Sequence, residues 1–134
     1  MIELHTLICC EIISRDADTN KLILVNLFEP LEAEAFPLFL PNFSVLAHFL
    51  RADTDPENPT GTLSIKVGVT EVLTAPMNID FKGKMNTRAI ARIQGLIVTE
   101  PGIVSTTLRI EGGVEGSYSF TFKLRVPHIQ VSST

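Results

Sequence analysis

The 134-residue sequence has no tryptophan, one tyrosine, three histidines and two cysteines. Each shortage removes a class of reading. Without tryptophan, and with a single tyrosine, the aromatic faces on which sugars usually stack are scarce. The two cysteines, Cys9 and Cys10, are adjacent. In an extended strand neighbouring side chains point to opposite faces, so a disulfide between them would be strained. They are expected as reduced, buried thiols. Positive charge is also short, 11 Lys and Arg against 15 Asp and Glu, for a net charge of -4. That balance argues against a nucleic-acid backbone or an anionic membrane surface as partner. Long apolar runs are missing too. The most apolar window, residues 35–50, is broken by Pro37, Pro41, Asn42 and His48, whereas a membrane helix needs about 20 mostly apolar residues. No basic stretch followed by an apolar run and a small-residue cleavage site opens the sequence, so no secretory signal is expected. Together with free thiols this points to the cytoplasm. The sequence shows no internal repeat, low-complexity tract or linker.

What is present is alternation. In the last hairpin, from Glu100-Pro101-Gly102 to Val126, the residues Tyr118, Phe120, Phe122, Leu124 and Val126 alternate with Ser117, Ser119, Thr121, Lys123 and Arg125. A strand puts these two sets on opposite faces. Burying a large apolar side chain is worth roughly 1.5–3 kcal/mol, so the apolar row requires a second layer. With 45% hydrophobic residues, the chain is expected to build one core as a single domain over 1–134, with 127–134 a frayed tail.

Taken in order, Glu3–Ser14 reads as a strand and Arg15–Lys21 as a polar turn. Leu22–Glu34 reads as one bent strand or two short ones, and Phe36–Asn42, with two prolines, as a crossover between sheets. Phe43, Val45, Ala47 and Phe49 share one face of the next strand. An acidic loop, 53–61, precedes the alternating run Thr62–Thr74, in which Leu63, Ile65, Val67 and Val69 face inward. A short strand is expected at Met77–Phe81. Thr87–Thr99 mixes helix-favouring alanines with strand parity and is read as a strand bulged near Gly95. Proline and glycine in Glu100-Pro101-Gly102-Ile103 fit a type II turn. The tally of about eight mainly antiparallel strands predicts an all-β, immunoglobulin-like sandwich.

Three stretches, Cys10-Glu11, Asp18-Thr19-Asn20-Lys21 and Glu100-Pro101-Gly102, resemble the pattern of a bacterial family of small uncharacterised β-sandwich proteins. That resemblance implies an immunoglobulin-like sandwich and transfers no reaction and no active site.

Candidate sites follow from residue chemistry. Asp16, Asp18 and Asn20 in one turn, and Asp53, Asp55, Glu57 and Asn58 in another, could offer oxygen ligands to calcium if both loops fall at one end of the sandwich. Asp16, Asp18, Asp53 and Asp55 would be the metal ligands. The plain alternative is that these are ordinary turn residues in solvated loops. A catalytic Cys–His pair is disfavoured, because His5 and Cys9, four apart on a strand, are separated by roughly 13 Å. His48 reads as packed or at a sheet rim, and His128 lies in the tail. Lys82, Lys84, Arg88 and Arg92 form the basic cluster, read either as a solvated face or as a docking patch for an acidic partner. Phe36, Leu38, Phe39 and Leu40 either fold over the core or present a patch for self-association. Edge strands could also pair between copies. The function expected is therefore a non-catalytic protein-binding or assembly module with no cofactor, no nucleic acid and no membrane. The alternative is a small-ligand or carbohydrate-binding module, calcium-dependent or not, using loops 15–21 and 53–61.

Overall fold

A computed structural model describes residues 1–125 and 132. The tail expected to fray, and the placements of Val126 and His128, lie outside the described residues apart from Ser132. The described residues form nine strands and no helix: β1 (Glu3–Arg15), β2 (Leu22–Leu27), β3 (Leu31–Ala33), β4 (Leu38–Leu50), β5 (Thr60–Val67), β6 (Thr70–Asn78), β7 (Asn86–Val98), β8 (Gly102–Ile110) and β9 (Glu115–Leu124). Accordingly, no described helix is long and apolar enough to cross a membrane. A four-stranded sheet, β2-β1-β4-β7, faces a five-stranded sheet, β3-β9-β8-β5-β6. Pairing is antiparallel except between β3 and β9.

The alternating rows meet as the sequence requires. Phe43, Val45, Ala47 and Phe49 of β4 are fully buried against Leu63, Ile65 and Val67 of β5 and Phe120 and Phe122 of β9 in one core. Phe28, from the connection between β2 and β3, stacks against Phe43 at 4.9 Å and against Phe120 at 5.0 Å. One ring thus joins both sheets through offset aromatic contacts. The Tyr118 hydroxyl donates to the Phe28 carbonyl and ties β9 to the same connection. Cys9 and Cys10 are free, buried and on opposite faces, Cys9 in this core and Cys10 in a smaller one.

That smaller core comes from a feature the alternation did not announce. β1 pairs with β4 as far as Cys10↔Ser44 and pairs with β2 beyond it. At Glu11, opposite Asn26 with φ 55, the β1–β2 arm leaves the sheet and folds back across its outer face. Ile13, Leu22 and Leu24 then pack on Leu46 and Ile90. Ser44 Oγ donates to the Glu11 carbonyl, Arg92 Nη2 to the Ile13 carbonyl and Arg88 Nη2 to the Asn20 carbonyl.

Several boundaries differ from the sequence expectation. Of the two readings of Leu22–Glu34 the structure has the pair of short strands, set in different sheets because the chain changes sheet at Phe28–Pro30. Phe36 and Pro37 do lie on the return crossing, but strand resumes at Leu38 and runs through Pro41. Thr62–Thr74 is a hairpin. Gly68, at φ 61, supplies the positive φ of a two-residue turn, which leaves Val69 98% exposed where an inward position was expected. Ile79 and Phe81 are buried without being in a strand, since they anchor a loop. Gly102, at φ 149, already belongs to β8, so the Glu100-Pro101 connection carries the chain from one sheet to the other and does not have the type II glycine angle.

Thr87–Thr99 is a strand, but not a bulged one. The β4–β7 register is constant from Leu38↔Val98 to Leu50↔Asn86. What changes is the face. Leu38, Leu40, Leu96 and Val98 point to the core at one end, whereas Phe43, Val45 and Ala47 do so further on, with parity reversed. The reversal falls where Pro41 lies opposite Gly95, whose φ is 91. A Cβ there would also meet the Phe39 ring at 3.2 Å. Gly95→Val is therefore expected to cost about 2 kcal/mol or more, from positive-φ strain and the ring contact. Urea unfolding of that variant checks this, and an unchanged midpoint would refute it.

Candidate functional site

Two strand edges lie on one side of the sandwich, β7 ending the four-stranded sheet and β6 ending the five-stranded one. Between them runs an open groove of about 900 Å³. Its floor is the loop after β6. Ile79 and Phe81, 2% and 1% exposed, plug that loop into the core, and the Phe81 N–H donates to the Glu57 carbonyl. Left-handed backbone at Lys82 and Gly83 then turns the chain sharply, closed by the Lys84 N–H donating to the Phe81 carbonyl. The Arg51 guanidinium lies 5.4 Å from the Phe81 ring centre, and its Nε donates to the Lys84 carbonyl. The loop is thus braced from beneath while Lys82 and Lys84 stand exposed.

Arg88 enters the groove from β7, and Arg15 arrives at the tip of the folded-back arm. Asp80 also lines the groove and accepts the Lys82 N–H. Arg88 and Arg92 bond backbone carbonyls, which hold their geometry without cancelling their charge. Among the described residues, none of Arg15, Lys82, Lys84, Arg88 or Arg92 has a carboxylate within salt-bridge distance. A chain of net charge -4 therefore concentrates uncompensated positive charge along one edge. The structure brings Arg88 together with Lys82 and Lys84, as the sequence suggested. It leaves Arg92 outside the groove lining and adds Arg15, which sequence separation hid until the arm folded back.

The other predicted residues fare differently. The loop carrying Asp53 and Asp55 follows Leu50, which pairs with Glu3, so it lies beside the start of β1. Asp16 and Asp18 follow the end of β1. The two loops are attached to opposite ends of that strand, but the folded-back arm returns the first along β7, where Arg88 bonds the Asn20 carbonyl. The Asp16 carboxylate accepts N–H donors from Asp18 and Thr19, which hold it below the ordinary 3.8. The Asp55 carboxylate accepts the Ala52 N–H and lies 3.0 Å from the Met1 amino group; the Ala52 bond first, then that group, lowers it as well. Among the described residues no three His, Cys, Asp or Glu side chains come together as a metal-ligand group.

His5 sits at a register shift and meets His48 edge-on at 5.4 Å, while Cys9 lies in the inner core. Phe36 and Leu38 pack on that core. Phe39 and its partner Ile97 are 61% and 53% exposed on the other face. The outer face of the five-stranded sheet carries hydroxyls, with Ser119 bonded to Ser105 and Thr107 to Ser117, and its Arg109 is paired with Glu115. Lys66 shares that face with Glu71 and Glu115 as well as Arg109, so charge of both signs is mixed there, whereas cationic side chains outnumber Asp80 in the β6–β7 groove.

No curated protein matches the chain. The model of one family, described as a family of unknown function, matches residues 5–123, from early in β1 to the penultimate residue of β9. The chain therefore belongs to this family of unknown function, DUF6941.

Proposed function

We propose that the chain is a non-catalytic protein-binding or assembly module: an immunoglobulin-like sandwich of a bacterial cytoplasm that contacts protein through its β6–β7 side. The observation that carries the reading is a braced, cationic groove flanked by two strand edges. Strand edges offer main-chain hydrogen bonds to another chain, and uncompensated charge steers encounter with a complementary surface. The immunoglobulin-like description is supported by the strand order. β1-β4-β7 facing β9-β8-β5-β6, with the short β3 parallel to the last strand, resembles the connectivity of such sandwiches with their fourth strand on the opposite sheet. Two buried free thiols support a reducing compartment.

A photo-crosslinking residue placed at Asn86, in the groove, and separately at Ser119, on the outer face of the five-stranded sheet, tests the assignment in cells making the protein. Adducts with a discrete protein are expected at Asn86 and not at Ser119. Adducts at neither position, or equally at both, would remove the basis for it.

A further inference from the structure

We propose that the groove receives an extended acidic segment of a partner protein, added as a strand alongside β7. This rests on the protein-binding reading above and names the chemistry of the partner. The first support is the state of the β7 edge. Its 13 residues pair with β4 alone among the described strands. Proteins usually guard so long an edge with a bulge, a proline or an outward lysine. β6, across the groove, has such guards in Pro76 and a register shift beside Ile65. β7 has neither proline nor register shift. Its two arginines are bonded to carbonyls of the folded-back arm, which holds Arg92 out of the groove and leaves Arg88 lining it.

The second support is charge. Arg15, Lys82, Lys84 and Arg88 line the groove with Asp80 as the counter-charge, which favours an anionic occupant. The lack of exposed aromatics decides which kind. Phe81 is 1% exposed, and among the groove-lining residues no phenylalanine, tyrosine or tryptophan offers a face to solvent. A single-stranded nucleic acid would find no stacking platform. An acidic peptide needs none.

Geometry sets its length and pattern. The groove spans Asn86–Ala91 of β7, and six residues of strand cover roughly 20 Å. An added strand would continue the pleat, one set of side chains lying beside Ala89 and Ala91 and the other beside Arg88. The fitting segment therefore alternates small or apolar residues with Asp or Glu.

The test uses a capped decapeptide of alternating valine and glutamate, titrated into labelled protein and followed by amide NMR shifts and hydrogen exchange. Changes are expected at residues 80–91, with new amide protection along β7 and affinity at least tenfold weaker for Lys84→Glu/Arg88→Glu. Lys82→Glu/Lys84→Glu, which breaks no bond to the arm, should weaken it likewise. Lys123→Glu, on a distant exposed position, should not. Equal binding of a valine–lysine decapeptide, tighter binding of oligouridine, perturbation mapping to β2, or indifference to both double variants would each overturn the proposal. If no decapeptide binds while Asn86 still crosslinks to a protein, the acidic-strand inference is lost and the protein-binding reading stands. If Asn86 crosslinks to nothing as well, both fall.

Discussion

Phe120→Ala is expected to destabilise the protein by about 3–5 kcal/mol, the range for an aromatic removed from a packed core. That is a large part of the 5–15 kcal/mol by which a typical domain is stable. Phe120 is 4% exposed and touches the core from β9, stacked on Phe28 at 5.0 Å, 6.2 Å from Phe43 and edge-on to Phe122 at 5.4 Å. Removing it leaves Phe28, which joins the two sheets, with one of its two stacked ring neighbours. The neighbouring chain cannot close the gap, because Phe43 and Phe28 are each fixed in other elements. Leu124→Ala is the matched control. It has the same parity on the same strand, so the sequence pattern alone would rank it with Phe120, yet Leu124 is 52% exposed. Its cost should stay within about 0.5 kcal/mol, as for ordinary surface substitutions. Urea unfolding of both variants checks the pair, and similar losses would contradict the described core.

The second large effect is alkaline. Burial pushes the Cys9 thiol up from 9.0 to about 12, with a partial offset from Thr106 and a further rise from Cys10. Thr106 Oγ1 is itself buried without a hydrogen-bond partner of ordinary geometry, so it offers the thiolate little. In the unfolded chain Cys9 loses its proton near 9.0, while in the folded protein it keeps the proton until about 12. The folded state therefore binds more protons between those values, and stability falls as pH rises through that window. One proton corresponds to about 1.4 kcal/mol for each pH unit, so the loss approaches roughly 4 kcal/mol across three units. Cys10 is raised by burial too and acts in the same direction. Urea midpoints from pH 8 to 11 should decline more steeply for the native protein than for Cys9→Ala. Parallel declines would show that the thiol is not the source. In the native protein at pH 8, a thiol reagent should react with neither cysteine until unfolding exposes them.

The sequence by itself determined the all-β class, the inward rows of β4, β5 and β9, and the opposed, buried thiols. These depend on the two-residue period of a strand, which is local and survives any arrangement of sheets. It also placed Lys82, Lys84 and Arg88 together, since they are close along the chain. The prolines after Phe36 marked the return crossing, but tertiary structure alone decided the earlier change of sheet at Phe28–Pro30, which depends on Phe28 finding Phe43 and Phe120. It reversed the inward parity at Pro41 and Gly95, a change of face that leaves register intact and so leaves no mark in spacing. It folded the β1–β2 arm over the sheet, which brought Arg15 into the groove and bonded Arg88 to Asn20, 68 residues away in sequence. The edges of β6 and β7 became a groove for the same reason. Which strand ends a sheet depends on every other pairing in it, and no local pattern of residues encodes that.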